Sequence, residues 1–353
     1  MTILDKSKIR PDILKILEDR QRVEEMGSAE FLKKKENQIL DFNALWQKVM
    51  EGNACWLKGE DMSGYLTKGE QLFVAKFLRF VWEYSENFQQ KYVSPIPKDV
   101  KCEQVDAGGV SAEWQTVPGA IKDRVLLYFH GGGYIMGSPN TRRSLTIMLG
   151  KATNMRVLSV DYSLAPEHPY PAALEDCTAV YNWLLSRGFK SENIIIAGDS
   201  AGGYFTLMTL VRLRNDGTSL PAGAVCLSPG TDLEFTSVPV QSYIENAPTD
   251  PVLADLGIFW FAEAYLAGAD PRSPLISPLY ADLTGLPPIL IQVSTSEMLY
   301  DDSTRFVERA KAAGVDVTLQ TWDDTLHVFQ ASGLPESKEA ITKISEFVQK
   351  QFE

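Results

Sequence analysis

Apolar residues recur at helical spacing up to about position 95, and after that the period changes. Pro11-Asp12-Ile13-Leu14-Lys15-Ile16-Leu17 opens the first amphipathic stretch. Pro11 stands in its first turn, where a missing N–H costs nothing. A second stretch is expected over 29–50 and a third over 71–84. The third holds Phe73, Phe77, Phe80 and Trp82, a set too wide for one narrow stripe. It predicts either packing between helices or a cap over an apolar pocket. Val93-Ser94-Pro95-Ile96-Pro97 then breaks the helical pattern.

Beyond this break, short apolar runs alternate with helical stretches. Strands are expected over 101–105 and 112–117, turned by Gly108-Gly109, and then over 125–129, 156–160, 193–197 and 223–228. Helices are expected over 141–152, 174–186 and 201–214. The alternation lapses from 230 to 268, where 257–266 reads as a helix containing Phe259, Trp260, Phe261 and Tyr265. It resumes with strand 289–293, helix 303–313, strand 315–321 and helix 338–352. The pattern predicts an α/β fold, with a mostly parallel sheet covered by helices on both faces. Four segments are expected: a helical cap segment 1–98, core 99–229, a second cap segment 230–268 and core 269–353.

Composition narrows the function classes. The chain has 353 residues, 44% hydrophobic and 23% charged, enough for one large α/β domain with an accessory part. Its formal net charge of -12 disfavours nucleic acid and anionic membrane surfaces. Cys55, Cys102, Cys177 and Cys226 are widely spaced, with no C-x-x-C, so neither a zinc site nor a disulfide framework is expected. Residues 1–6 lack the apolar core of a signal peptide, and no run reaches the length of a membrane span. A cytoplasmic protein is the expectation.

Two motifs carry chemistry. Gly198-Asp199-Ser200-Ala201-Gly202-Gly203 lies between strand 193–197 and helix 201–214, and reads G-x-S-x-G. A sharp strand-to-helix turn there lifts the Ser200 hydroxyl clear of the sheet at the positive end of a helix. His130-Gly131-Gly132-Gly133 follows strand 125–129. Glycines in series leave backbone N–H groups bare and able to stabilise an oxyanion as it forms. Either motif alone is weak, but the pair in this context points to nucleophilic catalysis.

A serine hydroxyl needs a base. Of the three histidines, His130 belongs to the glycine loop, His168 lies in Ala165-Pro166-Glu167-His168-Pro169, and His327 alone follows Ser200 before the last helix. The order serine, acid, histidine makes His327 the candidate base. Glu297, Asp301, Asp302, Asp323 and Asp324 all satisfy that order as candidate acids. Glu297 stands in the loop at a strand's carboxyl end, while Asp301 and Asp302 are placed to cap helix 303–313.

With these motifs, the block Asp161-Tyr162-Ser163-Leu164-Ala165-Pro166-Glu167-His168-Pro169-Tyr170-Pro171-Ala172-Ala173 resembles the esterases related to hormone-sensitive lipase, bacterial family IV, of the α/β-hydrolase fold. Ser163 departs from the family's arginine. The resemblance covers 100–353, and the first fifty or so residues exceed the family's usual cap. It implies that Gly132, Gly133 and Ala201 supply the oxyanion N–H groups. It also implies that the acid falls in Glu297-Met298-Leu299-Tyr300-Asp301, with Glu297 in place of the family's aspartate. His130, Asp199 and Glu167 then support structure. The expected activity is hydrolysis of short- to medium-chain carboxylic esters through an acyl-enzyme, without metal or cofactor. Phe73, Phe77 and Trp260 are candidate pocket walls. An amidase or deacetylase on the same triad, or a non-catalytic small-molecule receptor, is the alternative. A homodimer through the edge strand near 315–321 is also expected.

Overall fold

The computed structural model describes residues 3–38, 41–236, 240–254 and 256–353. Its first part is helical: α1 (Pro11–Lys33), α2 (Phe42–Trp56) and α3 (Lys68–Phe88). The helix expected over 29–50 is broken. Asn37 donates its amide to the Phe31 carbonyl at 2.8 Å and ends α1, and Asp41 caps α2 by accepting from the Ala44 N–H. Residues 39 and 40 of that stretch lie outside the described residues. Local polar groups here outrank the continuing amphipathic pattern. A reciprocal Thr67–Glu70 capping box starts α3 three residues ahead of the expected position.

Among the described residues, eight strands form one sheet: β1 (Lys101–Asp106), β2 (Ser111–Thr116), β3 (Ile121–Phe129), β4 (Met155–Val160), β5 (Ile194–Asp199), β6 (Gly223–Leu227), β7 (Ile289–Ser294) and β8 (Val317–Trp322). Their order is β1-β2-β4-β3-β5-β6-β7-β8, with β2 antiparallel to both neighbours and the rest parallel. Helices α4 (Pro139–Thr153), α5 (Ala172–Ser186), α6 (Ala201–Asn215), α7 (Gln241–Glu245), α8 (Phe261–Leu266), α9 (Tyr300–Ala312) and α10 (Pro335–Lys350) complete the chain.

Strand alternation sorts the core into two faces. Leu126, Tyr128, Ile195, Ala197 and Leu290 pack with Leu145 and Leu149 of α4 and Ile344 and Val348 of α10. Val125, Leu127, Ile194, Ile196 and Ile291 pack on the opposite face with Leu184 of α5, Leu207 of α6 and Phe306 of α9. Burial on both faces is why the central strands read as unbroken apolar runs. The aromatic residues of α3 and of 258–266 extend the second cluster beyond the sheet. Residues 237–239 and 255, within the expected segment 230–268, lie outside the described residues.

Candidate active site

Ser200 follows β5 directly and has φ 53° and ψ −119°, a conformation L-residues rarely adopt. The turn is held by the Ser200 N–H, which donates to the Leu227 carbonyl at 2.7 Å. The turn also brings backbone against backbone. A Cβ on Gly202 would lie 1.9 Å from the Phe129 carbonyl oxygen, and one on Gly198 2.3 Å from that of Gly202. No side chain fits at either position. Ala201 opens α6, so its N–H is among those a helix start leaves without an intrahelical partner.

The glycine loop leaves the end of β3 with Gly132 at φ 130° and Gly133 at φ 57°. Asp199, fully buried, ties this loop to the serine turn. Its Oδ1 accepts from Tyr128 Oη at 2.7 Å and from the Gly131 N–H at 2.9 Å, and its Oδ2 accepts from Arg142 Nε at 2.7 Å. The Arg142 guanidinium lies 4.4 Å over the Trp82 ring. Helix α3 grips the outer side of the loop: Arg79 donates to the Ile135 and Ala165 carbonyls and forks onto both Glu167 oxygens at 2.8 Å. His130 is stacked on Tyr162 at 4.1 Å, and its Nδ1 is 2.8 Å from the Gly131 carbonyl. Burial lowers its pKa to about 4, so the ring is neutral.

Glu297 follows β7 and His327 follows β8, so both stand at carboxyl ends of strands, like Ser200. Glu297 Oε1 is 3.0 Å from His327 Nδ1. Glu297 Oε2 accepts from Ser228 Oγ at 2.8 Å and from the Ser294 N–H at 3.1 Å. The Ser228 hydroxyl also accepts from the Val328 N–H at 3.3 Å, so one side chain braces both the acid and the base. Burial alone would lower the His327 pKa. The charge and hydrogen bond of Glu297, helped by Asp250 and Asp199, outweigh burial and raise it.

The other carboxylates are engaged elsewhere. Helix α9 begins at Tyr300 without a side-chain cap, so Asp301 and Asp302 are not caps as the sequence suggested. Asp301 Oδ2 accepts from the Ser242 N–H, and Asp302 Oδ1 from the N–H groups of Thr231 and Asp232. The backbone groups of Thr231, Asp232 and Ser242 that they serve lie far away along the chain, and those needs were not visible in sequence. Asp323 accepts from Thr295 Oγ1 at 2.8 Å.

Phe73 and Phe77 meet Phe31 edge-on at 5.9 and 5.4 Å, and Phe77 also contacts Phe42 and Trp46. Packing among α1, α2 and α3 accounts for them. The rings against the glycine loop are Trp82, beside Gly132, and Phe261, against Gly133. Trp260 is fully buried, edge-on to Phe261 at 5.0 Å. Ser228, Arg142 and Asp250 were missed by sequence reasoning. Only the position of Ser228, just beyond an apolar strand, gave a local signal.

Residues 126–331 match the family model described as alpha/beta hydrolase fold. An acetyl-hydrolase of Streptomyces hygroscopicus is 42% identical over 246 residues, 69% of this chain and 81% of that protein. An esterase of Acinetobacter venetianus is 38% identical, over 72% of this chain and 83% of that one. The crystal structure of an esterase from the bacterial hormone-sensitive lipase family superposes with a TM-score of 0.75 at 41% identity, covering 87% of this chain and 99% of that one. The chain belongs to the hormone-sensitive-lipase-like esterases of the α/β-hydrolase fold. A hormone-sensitive lipase from a metagenome library gives 0.74 at 40% identity, over 79% of this esterase and 92% of that chain. This member of the family is a carboxylic ester hydrolase. Among its described residues no helix is long and apolar enough to cross a membrane.

Proposed function

We propose that Ser200 is the nucleophile, His327 the general base and acid, and Glu297 the residue that orients His327. Gly132, Gly133 and Ala201 supply the oxyanion N–H groups. Ser200 Oγ attacks the acyl carbonyl while His327 takes its proton. The tetrahedral oxyanion rests on the three N–H donors, and His327 returns the proton to the leaving alcohol. Water then repeats the sequence on the acyl-enzyme and restores Ser200. The observation that carries the reading is the 3.0 Å Glu297–His327 contact at the same strand ends as the strained Ser200 turn.

The substrates are small esters with short- to medium-chain acyl groups. Residues 1–98 and 230–268 form the cap. Its rings Trp82 and Phe261, with Trp260 behind, lie on the glycine loop and bound the acyl space. The protein works in the cytoplasm, a placement that fits its free Cys55, Cys102, Cys177 and Cys226. It self-associates through the β8 edge.

The test uses p-nitrophenyl esters from acetyl to decanoyl, with the matching anilides. Wild type should cleave the shorter esters fastest and leave anilides nearly untouched. Ser200→Ala and His327→Ala should each lower kcat by about 10³-fold or more while remaining folded. A Ser200→Ala protein with near-normal turnover would remove the assignment. Preference for the anilides would make the chain an amidase.

A further inference from the structure

The segment at 242–253 does more than cover the site. It supplies the hydrogen-bond partners for the backbone of the loop that holds Glu297. Asn246 Nδ2 donates to the carbonyls of Thr295 and Glu297, at 3.0 and 2.8 Å. Thr249 Oγ1 donates to the Ser296 carbonyl at 3.2 Å. Ser242 Oγ donates to the Met298 carbonyl at 2.7 Å and accepts from the Asp301 N–H at 3.1 Å. Asp250, 1% exposed, accepts the Met298 N–H on Oδ2 at 2.9 Å and the Val252 and Leu253 N–H groups on Oδ1 at 3.0 Å.

Of these side chains, only Asp250 is acidic. An amide or hydroxyl could accept the Met298 N–H equally well, so the hydrogen bond alone does not call for a carboxylate. Three N–H donors favour the ionised form. Burial works the other way and raises the Asp250 pKa, while the His327 ring, when charged, pulls it back down. The influence is mutual, since Asp250 acts on His327 in the same sense as Glu297 does. The geometry agrees: the Met298 N–H that Asp250 accepts belongs to the residue next to Glu297, whose Oε1 is 3.0 Å from His327 Nδ1, so the buried carboxylate braces the same short loop that touches the base.

We propose that Asp250 is a positioning residue for the base: it fixes the Glu297 loop through Met298 and adds a second buried negative charge that stabilises the His327 imidazolium formed during acyl transfer. This role rests on the Ser200–Glu297–His327 reading above. The charges around His327 come from several elements. Glu297 stands on its own loop after β7, and Asp250 on the clasping segment. Asp199 at the end of β5 is answered by Arg142. Asp323 and Asp324 on the histidine's own loop are exposed, and Arg10 reaches the Asp324 carbonyl at 3.5 Å. Asp250 is a buried acid whose hydrogen bonds all come from backbone N–H groups, and among the described residues it forms no ion pair with a lysine or arginine.

The test is the pH dependence of kcat/KM with p-nitrophenyl acetate for wild type, Asp250→Asn and Asn246→Ala, each checked for folding by thermal melting. Removing the anion makes the imidazolium easier to deprotonate. The acid limb of Asp250→Asn should move to lower pH by about half a unit to one unit, and kcat should fall about three- to tenfold with little change in KM. Asn246→Ala loosens the same loop but keeps the charge, so its kcat should fall with the limb unmoved. A folded Asp250→Asn whose limb coincides with wild type overturns the proposal. Should that variant not fold, Asp250→Ser, which removes the charge and keeps an oxygen on the same backbone, decides instead through NMR titration of its His327 ring against that of wild type. A ring titrating at the wild-type value in that variant overturns the proposal, and one titrating about half a pH unit or more lower supports it. The chain has three histidines, so the His327 signal is assigned by its loss in His327→Ala. Activity surviving in Ser200→Ala would instead sink the underlying reading, so the two failures are distinguishable.

Discussion

At Ser200 the backbone is held where only glycine sits without strain, and the surroundings leave it no alternative. The helix start, the Leu227 carbonyl and the contacts of Gly198 and Gly202 all require that turn. Glu297 and His327 are fixed differently, by hydrogen bonds at every polar atom of the carboxylate. Glu297→Gln keeps the size but replaces one accepting oxygen by an amide, which turns the imidazole or leaves it unbraced. Such a variant should stay folded and lose about 10²- to 10⁴-fold in kcat, read from steady-state kinetics on p-nitrophenyl acetate. Asp301→Asn, whose carboxylate serves the Ser242 N–H, should retain most of its activity. The reverse ranking would move the acid to Asp301. The His327 shift also gives the pH profile a sign. The base works neutral, and its pKa is raised, so the acid limb of the wild-type profile should have its midpoint above about 6.5. A limb centred below that value would show that burial, not Glu297, dominates the ring.

Elements show what the pattern of residues could and could not reveal. The parallel strands and their helices were legible because burial on both faces leaves long apolar runs, and Gly-x-Ser-x-Gly and the triple glycine mark strand ends that few other sequences need. The N-terminal helices were legible as helices but not in extent. A continuous amphipathic count runs through 29–50, whereas the break comes from Asn37 and Asp41, two side chains that bind backbone only once the turn exists. The aromatic residues of α3 were legible as buried but not as to their partners: spacing cannot tell Phe77, which packs on Phe31, from Trp82, which lies on Gly132. Helix α9 makes the same point. Asp302 seemed a cap, but it is buried and binds the N–H groups of Thr231 and Asp232 across 71 and 70 residues. Burial raises its pKa to about 7. The folded state therefore holds a proton that the unfolded chain has released between the ordinary aspartate pKa of about 3.9 and about 7. Stability from this group is fullest below that window and declines as pH rises through it. Asp302→Asn keeps an oxygen for both N–H donors and removes the ionisation. Its melting temperature should gain on wild type as pH rises from about 5 to 8, measured by thermal denaturation. A gap between the two proteins that is constant over that range would contradict the assignment.

For the whole molecule, the open question set by the sheet is its edge. The strand order ends at β8, which pairs with β7 alone, while the other end is the hairpin of β1 and β2. The carbonyls of Asp316 and Trp322 accept from Ile289 and Thr295, so even-numbered residues of β8 turn their backbone groups toward β7. Val317, Leu319 and Thr321 consequently present theirs outward, since a strand residue's N–H and C=O point to the same side. An exposed edge of this kind invites a second copy. Two copies related by a twofold axis would pair β8 antiparallel and make one continuous sheet of both molecules, with each residue meeting its counterpart's partner. Thr318 and Thr321 are exposed, and Lys343 and Glu339, paired with each other at 3.5 Å, stand beside the strand, so each copy would bring both signs of charge to such an axis. Light scattering at micromolar concentration should give twice the chain mass. Thr321→Pro removes one outward N–H and leaves the β7 ladder untouched, because Thr321 does not face β7. It should halve that mass while the esterase activity per chain stays measurable. A wild-type chain that is monomeric at that concentration would rule the edge interface out. A Thr321→Pro protein that stays dimeric would place the interface elsewhere on the molecule.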